Sequence, residues 1–203
     1  MNMYRRRHLR IHLLRRLNLW KTLVFNLRML PFSQAVRLPI WLFGRVDISD
    51  CKRGKVVFQC PCGGGIFRIG LYPSRVFGYN TPEVTRVAIN GELHVGGRLS
   101  IGNGSVLEIE PSGIMMVGHD VLFQARNKIY IENRFEVGSQ VNVSWEAQFF
   151  DTDFHYVENM ENHTVRRRSK PISIGSHVWI GNRCTVQKGS VIPDDCTIAT
   201  NSL

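Results

Sequence analysis

A chain of 203 residues with 43% apolar and 21% charged content can bury one sizeable core, which excludes wholesale disorder. Its formal charge of +10 looks like that of a nucleic-acid binder until it is located: residues 1–45 carry ten Arg or Lys and no acid, whereas beyond Arg45 sixteen bases meet sixteen acids. The excess belongs to the N-terminal segment, no aromatic platform for bases accompanies it, and nucleic acid is not an expected partner.

In chain order, Leu13, Leu17, Trp20, Val24 and Leu27 recur at spacings of three and four, which places them in one helical stripe flanked by Arg10, Arg15, Arg16, Lys21 and Arg28. Lys21, Asn26 and Arg28 interrupt the apolar run, which falls short of the roughly 20 residues that a bilayer crossing needs. Arginines inside the apolar part argue against a cleaved secretory signal. Two readings stand side by side. In one, residues 1–30 form a peripheral membrane anchor, with Arg and Lys on anionic headgroups and Leu and Trp inserted shallowly. In the other, the helix packs on its own core or on a neighbouring subunit. Pro31 ends the helix near Leu30, and a short second element spans 33–37. The domain division is a basic amphipathic helical segment at 1–45 and a β domain at 46–203, opening with short strands and glycine turns.

Five cysteines, an odd and scattered set, argue for free thiols in a reducing compartment. Cys60-Pro61-Cys62 lacks the C-x-x-C spacing and a second ligand pair, and reads as structural.

A period of six dominates the rest. Steps of six from Ile89 visit Val95, Ile101, Leu107, Gly113, His119, Ala125, Ile131, Val137, Val143 and Phe149; from Ile174 they visit Ile180, Val186, Ile192 and Ile198. Neither a helix nor an ordinary strand has this period. A short flat strand followed by a tight turn does, with three units closing one triangular coil and each aliphatic stacking on its counterpart a coil later. Sixteen hexads predict a little over five coils. Gly96, Gly102, Gly138, Gly175 and Gly181 follow the ladder positions, where glycine would permit corner conformations that a Cβ opposes. Cys184 and Cys196 fall at a small inward phase as packing residues, and His119 also falls inward.

The stretch PISIGSHVWIGNRCTVQKGSVIPDDCTIATNSL (171–203) resembles the hexapeptide-repeat acyltransferases. NLRMLPFSQAVRLPIWLFGRV (26–46) and DTDFHY (151–156) are similar to a bacterial branch associated with capsule, O-antigen and other surface polysaccharides. The resemblance implies a mainly β fold, a left-handed parallel β-helix with a short N-terminal α-helical segment. It further implies acetyl-CoA as acyl donor with no metal, a saccharide acceptor, free or lipid-linked, and a homotrimer with sites between neighbouring prisms. The expected location is the cytoplasm, at the inner face of the cytoplasmic membrane.

Between Phe149 and Ile174 the phase slips by one residue, and a loop at about 150–173 leaves the repeat. His155 in this loop is the candidate general base, because transfer from a thioester to a hydroxyl requires removal of the hydroxyl proton and imidazole titrates near neutral pH. Asp153 or Asp151 is placed to orient it. The resemblance agrees, since the family's catalytic histidine sits in a comparable loop before this coil. His163, beside the arginine run and outside the motif, reads as a surface residue or an acceptor contact. Arg166 and Arg168, with Asp151, are candidate acceptor contacts for an anionic sugar or a lipid-linked pyrophosphate, against the plainer reading of a solvated charged loop.

No serine or cysteine is paired by motif with a histidine, which favours direct transfer. Trp179 matches the tryptophan that the family places near the thioester, and Arg183 and Lys188 on the following coil are candidate contacts for coenzyme A. Related sugar acetyltransferases carry an active-site asparagine on the coil before the histidine. Ungapped spacing lands near Gln124 and Ala125, with Asn127 two residues further as the substrate-binding candidate. Two other classes remain: a γ-carbonic-anhydrase-like zinc site, for which His94, His119, His155, His163 and His177 suffice in number but not in spacing, and a non-catalytic scaffold. The sequence stops inside a hexad without the cap that a solenoid end requires, which predicts a truncated product.

Overall fold

The computed structural model describes residues 16–71 and 83–203. Leu13 and the arginines at 5, 6, 7, 10 and 15 lie outside the described residues.

Alternation of aliphatic and polar residues gives short strands with one buried edge, and the chain lays them in strict rotation on three parallel sheets. The first coil is β1 (Ile40–Leu42), β2 (Arg45–Asp47) and β3 (Val56–Phe58); the second is β4 (Phe67–Leu71), β5 (Val84–Ile89) and β6 (Glu92–Val95). The third holds β7 (Leu99–Gly102), β8 (Val106–Ile109) and β9 (Ile114–Val117), and the fourth β10 (Val121–Phe123), β11 (Lys128–Ile131) and β12 (Arg134–Val137). In the fifth, β13 (Asn142–Val143) and β14 (Gln148–Phe150) are separated from β17 (Ile172–Ile174) by an antiparallel hairpin, β15 (Val157–Glu158) and β16 (Val165–Arg166). The sixth is β18 (Trp179–Ile180), β19 (Thr185–Gln187) and β20 (Val191–Ile192), and β21 (Thr197–Ile198) starts a seventh.

The faces read β1-β4-β7-β10-β13-β18-β21, β2-β5-β8-β11-β14-β19 and β3-β6-β9-β12-β17-β20. This is a three-sided parallel β-helix of six coils and one further strand among the described residues. It begins at Ile40, inside the segment assigned to the basic helix, and the coils before Ile89 carry no period of six.

Coil length is not uniform. Val95 pairs with Val117, a step of 22 residues; Phe123 pairs with Val143, a step of 20; Ile180 pairs with Ile198, a step of 18. Only the last is three hexads. The last buried side chain of each strand advances by eight instead of six from Ile101 to Ile109, from Ile109 to Val117 and from Phe123 to Ile131. Three such excesses total one hexad, so the phase is restored at Ile131. Within the displaced interval His119 does not point inward; it sits exposed at the corner between β9 and β10. Cys184 is buried in the core and Cys196 packs against it.

The left-handed backbone at the corners is adopted by Asp120, Gln140, His177 and Asp195 on one edge and by Arg126, Glu146, Arg183 and Asn201 on another, with φ between 57° and 62°. The ladder glycines answer a different need. A Cβ on Gly138 would lie 2.6 Å from the carbonyl carbon of Gly175 one coil later, so close approach of stacked corners excludes a side chain there.

The open base of the prism is closed by α1 (Leu19–Met29) and α2 (Phe32–Ala35). Asn18 caps α1 by accepting the Lys21 N–H at 3.0 Å, while Leu17 bridges Phe43 outside the helix. Asn26 Nδ2 donates to Ile40 O at 2.7 Å, its Oδ1 accepts from Ile40 N at 3.0 Å, and Thr22 Oγ1 accepts from Leu42 N at 3.1 Å. These side chains stand in for a missing strand along the free edge of β1, and Phe25 and Met29 fill the apolar floor. Replacing Asn26→Leu keeps the γ-branched shape, adds some bulk and removes both bonds to Ile40. Urea denaturation is expected to show a loss of about 2–4 kcal/mol with an unchanged slope.

Candidate functional site

The loop leaves the prism at the edge between the second and third faces, and its base is tied at several points. Asp151 is buried and its carboxylate accepts the backbone N–H groups of Glu132, Asn133 and Arg134 at 2.8, 2.7 and 2.7 Å, one coil below. Burial pushes its carboxyl up from the ordinary value, and the three N–H donors pull it back. Lys170 N donates to Asp151 O and Asp153 N to Arg168 O, each at 2.9 Å, so the outgoing and returning strands zip together before the hairpin.

Lys188, between β19 and β20 on the coil above, locks this base. Its ammonium donates to the Asp153 carboxylate and to the carbonyls of Arg167 at 2.7 Å and Arg168 at 3.3 Å. Arg168 Nε donates to Glu132 Oε1 at 3.0 Å, and its guanidinium lies 5.2 Å from the centre of the Tyr156 ring.

The residue before His155 is held by aromatic packing. Phe154 has φ 64°, and its ring lies 4.9 Å from that of Tyr130 and 6.1 Å from that of Phe150, both outward on the second face. Tyr130 donates to Glu110 Oε1 at 3.0 Å, and burial, with that carboxylate, pushes its phenol up to about 12. His155 itself projects into solvent, anchored through its neighbours Phe154 and Tyr156, and makes no side-chain hydrogen bond among the described residues.

Several sequence expectations are corrected here. Asp153 does not pair with His155, because Lys188 takes its carboxylate, and Asp151 is sealed into the wall as a cap. Asn127 is fully buried: its Nδ2 donates to Gln124 O at 2.9 Å and its Oδ1 accepts from Ala147 N at 2.8 Å, which leaves nothing for an acceptor sugar. Lys188 is a staple of the loop, so its ammonium is committed. Arg168 is tied to Glu132, whereas Arg166 is exposed on β16. His163 is exposed and bonds Glu158 at 2.9 Å.

The other expected cofactor contacts lie on a different side. Trp179 is outward on the first face, 52% exposed, with Nε1 donating to Ser144 Oγ at 3.3 Å. Arg183 sits at the edge between the first and second faces, where Glu83, Arg126, Glu146 and Arg183 alternate in sign: Arg126 Nε donates to both Glu83 oxygens at 3.0 and 2.9 Å, and Arg183 Nε to Glu146 at 3.0 Å. Arg126, Lys128, Glu146, Gln148 and Arg183 line a groove of about 440 Å³ beside it.

The residues missed by sequence reasoning are Ser144, Tyr130, Phe150 and Glu132. Tyr130 and Phe150 pair directly in the register of β11 and β14, a relation visible only once the 20-residue coil is known. Among the described residues no three His, Cys, Asp or Glu side chains group as metal ligands; His94 is on the third face, His119 and His177 on the third–first edge, and His155 and His163 on the loop.

No family model matches the chain. It is 24% identical over 132 residues to a polysialic acid O-acetyltransferase of Neisseria meningitidis, covering 54% of this chain and 61% of that protein, so it spans less than two thirds of the relative's length. A crystal structure of the polySia-specific acetyltransferase NeuO aligns over 80% of this chain and 83% of its own, with a TM-score of 0.34 and 10% identity.

Substituting Lys188→Met is expected to leave the thermal transition within a few degrees while raising amide exchange across residues 152–169. Hydrogen–deuterium exchange read by mass spectrometry checks this.

Proposed function

We propose that the protein transfers an acetyl group from acetyl-CoA to a hydroxyl of a bacterial surface polysaccharide or its precursor. The observation that carries the reading is His155, the only unpaired imidazole on a loop that the wall otherwise ties down on both sides, within the DTDFHY segment that resembles the acyltransferases. The similarity to a polysialic acid O-acetyltransferase supports the acyl chemistry and a polysaccharide acceptor.

In the proposed step the acceptor oxygen attacks the thioester carbonyl as its proton passes to a ring nitrogen of His155. The tetrahedral intermediate collapses with cleavage of the C–S bond, and the imidazolium returns the proton to the departing thiolate. His155 is aimed by its neighbours: Phe154 is fixed on Tyr130 and Phe150, and Tyr156 under Arg168. Asp153 and Lys188 act one step removed, as positioning residues that hold the two strands of the loop together.

The site is proposed to form between copies. The loop emerges at the second–third edge, whereas Trp179 is on the first face and Arg183 on the first–second edge, so a prism carries these two halves on different sides. A homotrimer, with each loop reaching the first face of its neighbour, unites them around one acetyl-CoA. Trp179 then shields the thioester, and the groove beside Arg183 offers cationic contacts for the cofactor phosphates.

His155→Ala is expected to lower kcat by about 10²–10⁴-fold with little change in the KM for acetyl-CoA, measured by thiol release with an oligosialic acid acceptor. Unchanged kcat removes His155 from the mechanism. Mixing inactive His155→Ala and Trp179→Ala chains by unfolding and refolding is expected to restore activity in about a quarter of sites, since a site that draws on two copies can then hold both native residues. No recovery would place both residues in one subunit's site.

A further inference from the structure

We propose that the outward face of α1 and α2 docks the protein on an anionic lipid bilayer. The helix is apolar on both sides: Phe25 and Met29 face the prism, yet its solvent side is apolar too. Its polar residues Thr22 and Asn26 are turned into the prism, where the free edge of β1 requires hydrogen-bonding partners, and Leu19, Trp20, Leu23, Val24 and Leu27 are turned to solvent. Phe32 and Val36, beyond Pro31, are exposed as well. Single exposed aliphatics are ordinary on a protein surface, but five on the outer side of an 11-residue helix form a patch that calls for an occupant. Capping accounts for the inward residues and not for the outward ones, which any charged side chain would satisfy in a helix facing water.

Charge selects the occupant. Lys21 and Arg28 border the apolar side, their heads reaching the carbonyls of Val46 and Cys51, and Arg37, just past α2, and Arg45, at the start of β2, are exposed. Residues 1–45 hold ten bases and no acid, and the remainder of the chain is neutral. A second copy brought against this face would set like charge on like, whereas anionic headgroups complement the bases and the acyl region receives Leu and Trp. No described helix is long and apolar enough to cross a membrane. With one side held by β1, α1 offers only its other side, which is the geometry of a helix lying in the interface plane.

Co-sedimentation of the intact protein with vesicles tests this separately from catalysis. Binding is expected to vesicles of phosphatidylcholine mixed with phosphatidylglycerol, to be weak with phosphatidylcholine alone, and to fall as salt is raised. The combined variant Trp20→Ser, Leu23→Ser and Leu27→Ser changes only exposed positions. It is expected to keep its thermal transition and its elution volume while its partitioning drops about tenfold or more. The proposal is overturned if the parent stays in the supernatant with the anionic vesicles. It is equally overturned if the variant binds as well as the parent, which leaves the bases alone responsible. A variant that changes oligomeric state assigns the face to contact between copies.

Discussion

Every part of this molecule is arranged around the hydrogen bonding of each strand to the strand directly above and below it on the same face. A parallel strand cannot pair with its immediate neighbour in sequence without a crossover, so the chain must make a complete circuit before it meets its partner. The circuit varies from 18 residues between Ile180 and Ile198 to 39 between Val46 and Thr85, yet the pairing is the same. What is held constant is the alternation that turns Phe123, Val143 and Ile180 inward onto one another, each buried aliphatic worth about 1.5–3 kcal/mol. Surplus chain is expelled at the corners, and the surplus carries the candidate chemistry.

How that surplus is anchored shows how a surface loop here is held to the wall. The His155 segment is fixed from below by Asp151, from above by Lys188 and from the side by the ring contacts of Phe154. Three coils thus converge on one excursion. A group borne on a loop gains from such a shell, because angular precision comes from the rigid wall while the loop supplies reach.

Legibility in the sequence followed the regularity of the coils. The last two were readable because an 18-residue circuit is three hexads, and the position of the excursion was readable as a break in that count. The middle coils matched a period of six through compensation: three steps of eight restored the phase, and His119 was misplaced in between. The first two coils, whose circuits exceed 18 residues, displayed no period. At the candidate site, the motif singled out His155. The commitments of Asp151, Asp153, Asn127 and Lys188 were not, because each is decided by a residue on an adjacent coil, and adjacency follows from circuit lengths that the one-dimensional pattern conceals. The same holds for Asn26, whose polarity on a helix face reads as an interruption until the bare strand edge opposite it is known.

The alternating Glu83, Arg126, Glu146 and Arg183 along one edge add little to the depth of the native basin, since each side chain is partly solvated. Their order bears on assembly errors. Stacked rungs with similar aliphatic interiors invite a coil to close one storey too high or too low, and the interior alone discriminates poorly among such mistakes. Skipping a storey would set Arg183 over Arg126, and at Gly104, where the Glu83 and Arg126 side chains meet across an intervening rung, a side chain would crowd both. The edge therefore disfavours a slipped winding by charge, while adding little to the stability of the correct one.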